Sequence, residues 1–229
     1  MNSSEKIEQE KNAAAEKALD YIENGMVIGL GSGSTFRIFL HKLAKKITEG
    51  LEIQTVATSD ETASIAESLG IKVTDFSEID TINVTIDGAD EVDIELNGIK
   101  GGGGAHLYEK IIASASQKNV WMINSDKYVK RLGKFPLPVE VVPFGSDHTF
   151  RKLKEMRLKP KFRMNSDKRY ITDGKHFIID LDISQKGNMD ELDKELKSIP
   201  GIIETGLFLN LCSVVIIGNG NKTDIVKRT

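Results

Sequence analysis

Cysteine is nearly absent from this chain. Cys212 stands alone among 229 residues, so no intramolecular disulfide can form and a cysteine-rich zinc site is excluded. Its apolar neighbours, Leu211 and Val214 to Ile217, mark it as a small buried side chain. The 4 histidines (His41, His106, His148 and His176) are scattered, which argues against a histidine-rich metal centre; none is expected. No apolar run approaches the roughly eighteen residues of a membrane span. Met1 to Lys17 is largely polar, with acidic and basic residues mixed, and lacks the apolar core of a secretory signal, so a cytoplasmic location is expected. A charge excess of one sign is missing too. Net charge is −3, which gives nucleic acid and anionic membranes no general attraction, and neither partner is expected. A small anionic metabolite remains open, because backbone dipoles and one or two lysines decide its binding.

What is present is alternation. Ile7, Ala14, Ala18, Tyr21 and Ile22 recur at helical spacing and predict an amphipathic helix from about 4 to 23. Gly25 ends it, Met26 to Gly29 reads as a buried strand, and Phe36, Phe39, Leu40, Leu43 and Ile47 supply the next helix face. A strand at Ile53–Thr58, a helix at Asp60–Leu69, a strand at Ile82–Asp87, a helix at His106–Lys118 and a strand at Val120–Asn124 continue the series. Such alternation is the signature of a parallel sheet covered by helices. Trp121 falls in the last of these strands and reads as core packing.

The pattern changes near Gly133. Pro136, Pro138 and Pro143 forbid a helix and bracket a strand at Val139–Val142. A helix at about Asp147–Arg157 follows, with strands near Lys161–Met164, Tyr170–Thr172 and Phe177–Asp182. The last helix opens on Asn188 with Glu191 three residues on, a capping-box variant, and buries Met189, Leu192, Leu196 and Ile199. These elements predict a small α+β unit over 134–203. Leu211 to Gly218 is apolar enough to return to the first sheet, so 1–133 and 204–229 are expected to form one larger unit. The basic residues from Lys130 to Lys134 and from Arg151 to Arg169 read as solvated faces.

Three constellations carry chemistry. Gly29-Leu30-Gly31-Ser32-Gly33-Ser34-Thr35 joins a strand to a helix, where bare backbone can approach a ligand. Ser34 and Thr35 can cap that helix, and its first amides suit a phosphate or carboxylate. The spacing is neither that of a dinucleotide turn nor that of a P-loop. Asp87-Gly88-Ala89-Asp90-Glu91-Val92-Asp93 begins at the carboxyl end of a predicted strand, where ligands of open parallel sheets gather. Its carboxylates suit sugar hydroxyls, proton transfer or a cation, and are equally consistent with a solvated loop; the glycine falls too early for an EF-hand. Lys100 followed by Gly101, Gly102, Gly103 and Gly104 leads into a helix carrying Glu109. Consecutive glycines are costly to order, so such a loop between apolar elements points to close approach of a ligand or another chain. Lys100 and Glu109 suit an electrophile and a base.

With these residues in hand, the chain resembles the type A family of ribose-5-phosphate isomerases. The match runs nearly end to end through GLGSGST (29–35), TSDET (58–62), DGADEVD (87–93), KGGGGA (100–105), EKIIA (109–113), SDK (125–127), LGKFPLPVEVVPF (132–144), GNMDEL (187–192) and PGIIETGLF (200–208). Departures are small: Ser32 stands where threonine is common and Gly104 where alanine is frequent. The resemblance implies an α/β fold, with a Rossmann-like parallel-sheet domain and a smaller ferredoxin-like α+β domain, in a homodimer or homotetramer. It implies interconversion of D-ribose 5-phosphate and D-ribulose 5-phosphate, in the non-oxidative pentose phosphate pathway, with no cofactor and no metal. By motif, Glu109 resembles the base that moves a proton between C2 and C1, and Asp87, Asp90 and Lys100 resemble groups that contact the sugar and move oxygen protons. Ser32, Gly33, Ser34, Thr35, Gly88, Ala89, Gly101, Gly102, Gly103 and Lys127 resemble the substrate-binding set, and Lys11 a phosphate-side lysine. Other classes share such a fold. A sugar-phosphate-sensing regulator should add a basic DNA-binding helix, a coenzyme A transferase its own glutamate context, and a nicotinamide dehydrogenase a dinucleotide turn. None of these features stands out here.

Overall fold

The computed structural model describes residues 3–228; Met1, Asn2 and Thr229, at the ends of the expected larger unit, lie outside them. The chain opens with helix α1 (Ser3–Ala18), strand β1 (Val27–Leu30), helix α2 (Ser34–Thr48), strand β2 (Gln54–Ala57), helix α3 (Asp60–Ser68) and strand β3 (Val84–Gly88). Two short strands, β4 (Glu91–Val92) and β5 (Gly98–Ile99), precede helix α4 (His106–Ser114) and strand β6 (Asn119–Asn124). Next come β7 (Leu137–Val141), α5 (Ser146–Glu155), β8 (Lys161–Phe162), β9 (Met164–Asn165), β10 (Lys168–Arg169), β11 (Phe177–Leu181), α6 (Met189–Lys197) and β12 (Ile202–Thr205). Strands β13 (Leu207–Phe208), β14 (Val214–Asn219) and β15 (Lys222–Lys227) follow.

The α/β class is as expected. A six-stranded sheet runs β15-β14-β6-β3-β1-β2, parallel throughout except for the β14–β15 edge hairpin. Its strands are apolar on both faces because both faces are covered. Ile28, Leu30, Ile86, Val120 and Met122 pack with Phe36, Phe39 and Leu43 of α2 and Ala14 and Ala18 of α1. Trp121, Ile123, Val215 and Ile217 point the other way, toward Phe208 and Cys212. Period-2 alternation along β6 thus feeds two separate cores.

The second sheet is antiparallel, in the order β12-β7-β11-β8. With α5 and α6 its chain order is β-α-β-β-α-β, the ferredoxin-like arrangement. Val139, Val141, Leu153, Ile179, Leu192 and Leu196 form its own core. Asn188 caps α6 by accepting from the amides of Asp190 and Glu191 at 3.1 and 3.2 Å. A third, small sheet in the order β13-β5-β4 ties the acidic loop, the glycine loop and the exit of the antiparallel sheet together.

Several boundaries differ from the periodicity. The first α-helix stops at Ala18, and a 3-10 turn, Leu19–Tyr21, completes the segment. Helix α4 ends at Ser114 rather than Lys118; the hydroxyls of Ser114 and Ser116 bond back to the carbonyls of Lys110 and Ile112. Pro138 lies inside β7 rather than before it. It is the strand's second residue, and its carbonyl accepts from the Gly206 amide at 2.7 Å. The strand expected at Tyr170–Thr172 falls instead at Lys168–Arg169, because a tight turn with Ser166 at φ 54° returns the chain earlier.

Helix α1 lies directly on β14, and a Cβ at Gly218 would collide with the Glu10 backbone. The Glu10 carboxylate, only 1% exposed, anchors the helix by accepting from the Ser125 amide at 3.0 Å. Gly218→Ala is therefore expected to cost about 1–3 kcal/mol, the usual range for overpacking. Urea unfolding reads it, and an unchanged midpoint would show that α1 does not sit this close.

Candidate active site

The site forms at the carboxyl ends of β1 and β3, where an open parallel sheet leaves a crevice. After β1 the chain turns over Asp87: the Gly31 amide donates to the Ile86 carbonyl at 2.9 Å, and the Ser32 amide to Asp87 Oδ1 at 2.9 Å. Any Cβ at Gly31 would collide with the Asp87 carboxylate, so the turn needs glycine there. Gly33, at φ 88°, is the N-cap of α2 and supplies no side chain. The caps expected of Ser34 and Thr35 are not made. Thr35 is buried, and Ser34 Oγ instead accepts from Lys11 Nζ at 3.0 Å. The first amides of α2 are left without a side-chain cap, at the positive end of the helix dipole.

Below this turn lies a buried ion cluster. Lys100, on the loop after β5, donates to Asp87 Oδ2 at 2.8 Å, the Gly88 carbonyl at 2.8 Å and Glu109 Oε2 at 2.9 Å. An ammonium has three hydrogens, so all are engaged. The three side chains are 2–5% exposed. Glu109, in the first turn of α4, also accepts from the Ser32 hydroxyl through Oε1. Burial pushes Asp87 up to about 7, against the pull of Lys100 and with a further push from Glu109. Burial opposes charge on Lys100, but the two carboxylates outweigh it and hold the ammonium above its ordinary value.

Opposite stands the glycine loop. The Gly102 amide donates to Asp90 Oδ2 at 2.7 Å, and Lys127 Nζ reaches the Ala89 carbonyl at 2.6 Å. Burial raises Asp90 and lowers Lys127, each partly offset by the other's charge. Together these residues enclose a cleft of 260 Å³. Ser32, Gly33, Ser34, Thr35, Gly88, Ala89, Asp90, Lys100, Gly101, Gly102, Gly103, Glu109 and Lys127 all line it. Asp87, grouped from the sequence with the sugar-contacting residues, is not among them. It sits one layer deeper, beneath Lys100. A neighbouring hollow of 420 Å³ shares Ser34, Asp90 and Lys127 with the cleft and adds Lys11 and Lys134.

Sequence reasoning missed two contributors. Arg163, in the basic stretch read as a solvated face, turns inward and donates to the carbonyls of Gly101 and Gly102 at 2.7 and 3.1 Å. The Tyr170 hydroxyl donates to the Gly103 carbonyl at 3.1 Å. Only the odd placement of Arg163 between apolar partners, Phe162 and Met164, hinted at this. The histidines play no comparable part. His106 is fully buried at the start of α4, and burial pushes it down to about 4, so it is neutral near pH 7. Among the described residues, no group of three or more His, Cys, Asp or Glu side chains is placed to hold a metal ion.

This geometry has relatives. Residues 54–222 match the family described as ribose 5-phosphate isomerase A (phosphoriboisomerase A). The chain belongs to that family. It is 44% identical to ribose-5-phosphate isomerase A of Levilactobacillus brevis, covering 94% of this chain and 96% of that one. Identity to the Limosilactobacillus reuteri protein (strain DSM 20016) of the same name is 46%, over 91% and 92% of the two chains. Among solved structures, a D-ribose-5-phosphate isomerase in complex with phospho-erythronic acid superposes with a TM-score of 0.94 at 36% identity, over 100% of both chains. The ribose 5-phosphate isomerase A of Methanocaldococcus jannaschii gives 0.90 at 36% identity, over 96% and 99%.

The cluster carries a pH signature. A raised Asp87 keeps its proton in the folded state after the unfolded chain has lost it, so its contribution to stability is full below the usual value of 3.8 and is lost as pH rises through about 7. Asp87→Asn should remove this falling component of the stability–pH curve. Denaturant titrations from pH 4 to 8 on both proteins check it; parallel curves would overturn the assignment.

Proposed function

We propose that this chain interconverts D-ribose 5-phosphate and D-ribulose 5-phosphate through an enediolate, as a step of the non-oxidative pentose phosphate pathway. The observation that carries the reading is the Glu109 carboxylate held between Lys100 and Ser32 at the wall of a cleft bordered by helix-start amides. Family membership and the phospho-erythronic acid bound by a structural neighbour support the substrate class. That acid joins a phosphate to a planar carboxylate, whose delocalised charge is like that of an enediolate.

The chemistry follows from residue types. In the open-chain aldose, Glu109 takes the C2 proton and the electron pair moves onto O1, giving the enediolate. Glu109 returns the proton to C1, while the hydroxyl proton of O2 passes to O1, leaving the ketone at C2. Lys100 stabilises the oxygen charge; Asp90 holds hydroxyls and relays their protons; Asp87 fixes Lys100 from below. Ser32 to Thr35, at the start of α2, and Lys127 and Lys11 receive the phosphate, and Gly88, Ala89 and Gly101 to Gly103 shape the sugar site. Phosphate binding far from C1 and C2 supplies orientation. No cofactor is called for. We further place the larger unit at 1–133 and 204–229 and the smaller at 134–203, and read the protein as a cytoplasmic homodimer or homotetramer.

Incubation of purified protein with ribose 5-phosphate, following ketose formation, tests the reading; no ketose would overturn it. Glu109→Gln keeps the size of the side chain but cannot accept the C2 proton. Its kcat should fall by about 10²- to 10⁴-fold, with solvent exchange of the C2 hydrogen falling in parallel. Wild-type exchange in that variant would move the base to Asp90 or Asp87. Exhaustive chelation is expected to leave the rate unchanged; a loss restored only by a divalent cation would recast the acidic loop as a metal site.

A further inference from the structure

Glycine loops owe their usefulness to exposed amides and their weakness to backbone freedom. Here Gly101 to Gly104 are not left free. Arg163, in the turn between β8 and β9 of the ferredoxin-like unit, reaches across to them with a side chain only 15% exposed. Nη1 donates to the carbonyls of Gly101 and Gly102 at 2.7 and 3.1 Å. Nε donates to Asp180 Oδ2 at 3.1 Å and Nη2 to Asp180 Oδ1, so Asp180 on β11 braces the guanidinium. Tyr170 adds its hydroxyl to the Gly103 carbonyl and lies where a side chain at Gly104 would project. Three consecutive carbonyls of the loop are thus held by side chains of the ferredoxin-like unit.

In a planar trans peptide the carbonyl and the next amide point in opposite directions. Holding the Gly101 carbonyl toward Arg163 turns the Gly102 amide toward the cleft, where it donates to Asp90 Oδ2 at 2.7 Å. Holding the Gly102 carbonyl likewise turns the Gly103 amide away from Arg163. Lysine can reproduce only part of this arrangement. Two carbonyls and a bidentate carboxylate need the rigid five-donor fork of a guanidinium. The neighbouring Arg169 behaves differently: it stacks on Phe162 and pairs with Asp147 at the surface.

We propose that Arg163, braced by Asp180 and assisted by Tyr170, is a positioning residue for the isomerase reaction, fixing the glycine loop so that its amides and Asp90 are aligned on the substrate. The proposal rests on the isomerase reading above. It makes the ferredoxin-like unit part of the catalytic apparatus rather than an appendage.

The test compares Arg163→Met, Arg163→Lys and Tyr170→Phe with Lys159→Met, which breaks a surface ion pair to Asp182. Two readouts are taken: kcat and KM for ribose 5-phosphate, and hydrogen exchange of the Gly101–Gly104 amides by NMR in the ligand-free protein. Misalignment of a catalytic group costs up to about 100-fold, so Arg163→Met should lower kcat by about 10- to 100-fold while KM changes by less than about fivefold. Arg163→Lys should recover part of that loss, and Tyr170→Phe should show a smaller one. Glycine amide exchange should quicken in the same order, and Lys159→Met should alter neither readout. If Arg163→Met fails to fold, Arg163→Lys and Tyr170→Phe carry the comparison. Wild-type kcat with unchanged glycine exchange in those variants would overturn the proposal. A wild-type protein that makes no ketose defeats the isomerase reading instead, and the exchange data then still decide whether Arg163 orders the loop.

Discussion

A lysine ammonium with every hydrogen engaged inside the protein constrains all that surrounds it. Taking such a charge out of water costs several kcal/mol, recovered only with good geometry and full hydrogen bonding. Lys100 has both, from Asp87 on β3, the Gly88 carbonyl and Glu109 on α4. Those partners come from separate elements, so strand end, loop and helix must meet at one point. Gly31 must be glycine because Asp87 fills the space its Cβ would need. Phe208, from β13, closes the apolar side, its ring 5.2 Å from the ammonium. A cluster of this kind is a poor source of stability and a demanding specification of geometry.

The net charge of −3 says nothing about this region. Around the cleft, positive charge comes from the uncapped start of α2 and from Lys11 and Lys127, with the Asp90 carboxylate beside Lys127 and Asp87 and Glu109 buried against Lys100. A phosphorylated sugar has the matching polarity: an anionic end, then hydroxyls, then a carbon whose proton must leave. The parallel sheet supplies the anion-facing end through its strand termini. The ferredoxin-like unit supplies order on the far side, through the Arg163 and Tyr170 side chains that bond the loop's main-chain carbonyls. The second unit holds the glycine loop without itself lining the cleft.

Much of this was legible in the sequence. Long periodic segments became α1, α2, α4 and β6 because their apolar faces are buried as the spacing predicts. The glycine and acidic motifs marked the residues that line the cleft. Strands β4, β5 and β13 escaped notice because two residues carry no periodicity, although they bring the motifs together. The depth of Asp87 was equally hidden: local sequence reports that a carboxylate follows a strand, not that a lysine 13 positions later covers it. Arg163 was misread for the same reason. A basic residue among basic residues looks solvated until a loop 62 positions away is seen to need its donors.

The cluster also explains how one site can tolerate the charge the proposed reaction creates. When Glu109 takes the C2 proton, it becomes neutral and negative charge appears on the sugar oxygen. Charge is displaced across a short distance beside Lys100 rather than made anew. The ammonium therefore faces one changing anion beside Asp87: Glu109 before the transfer and the enediolate after it. A donor freed as Glu109 loses its charge becomes available to the oxygen that gains one. Electrostatic stabilisation of this sort needs little reorganisation because the dipoles and charges are already in place, which is where most of its advantage over water lies. Asp87, bonded to the Ser32 and Gly88 amides as well as to Lys100, is what keeps the ammonium from following the moving charge.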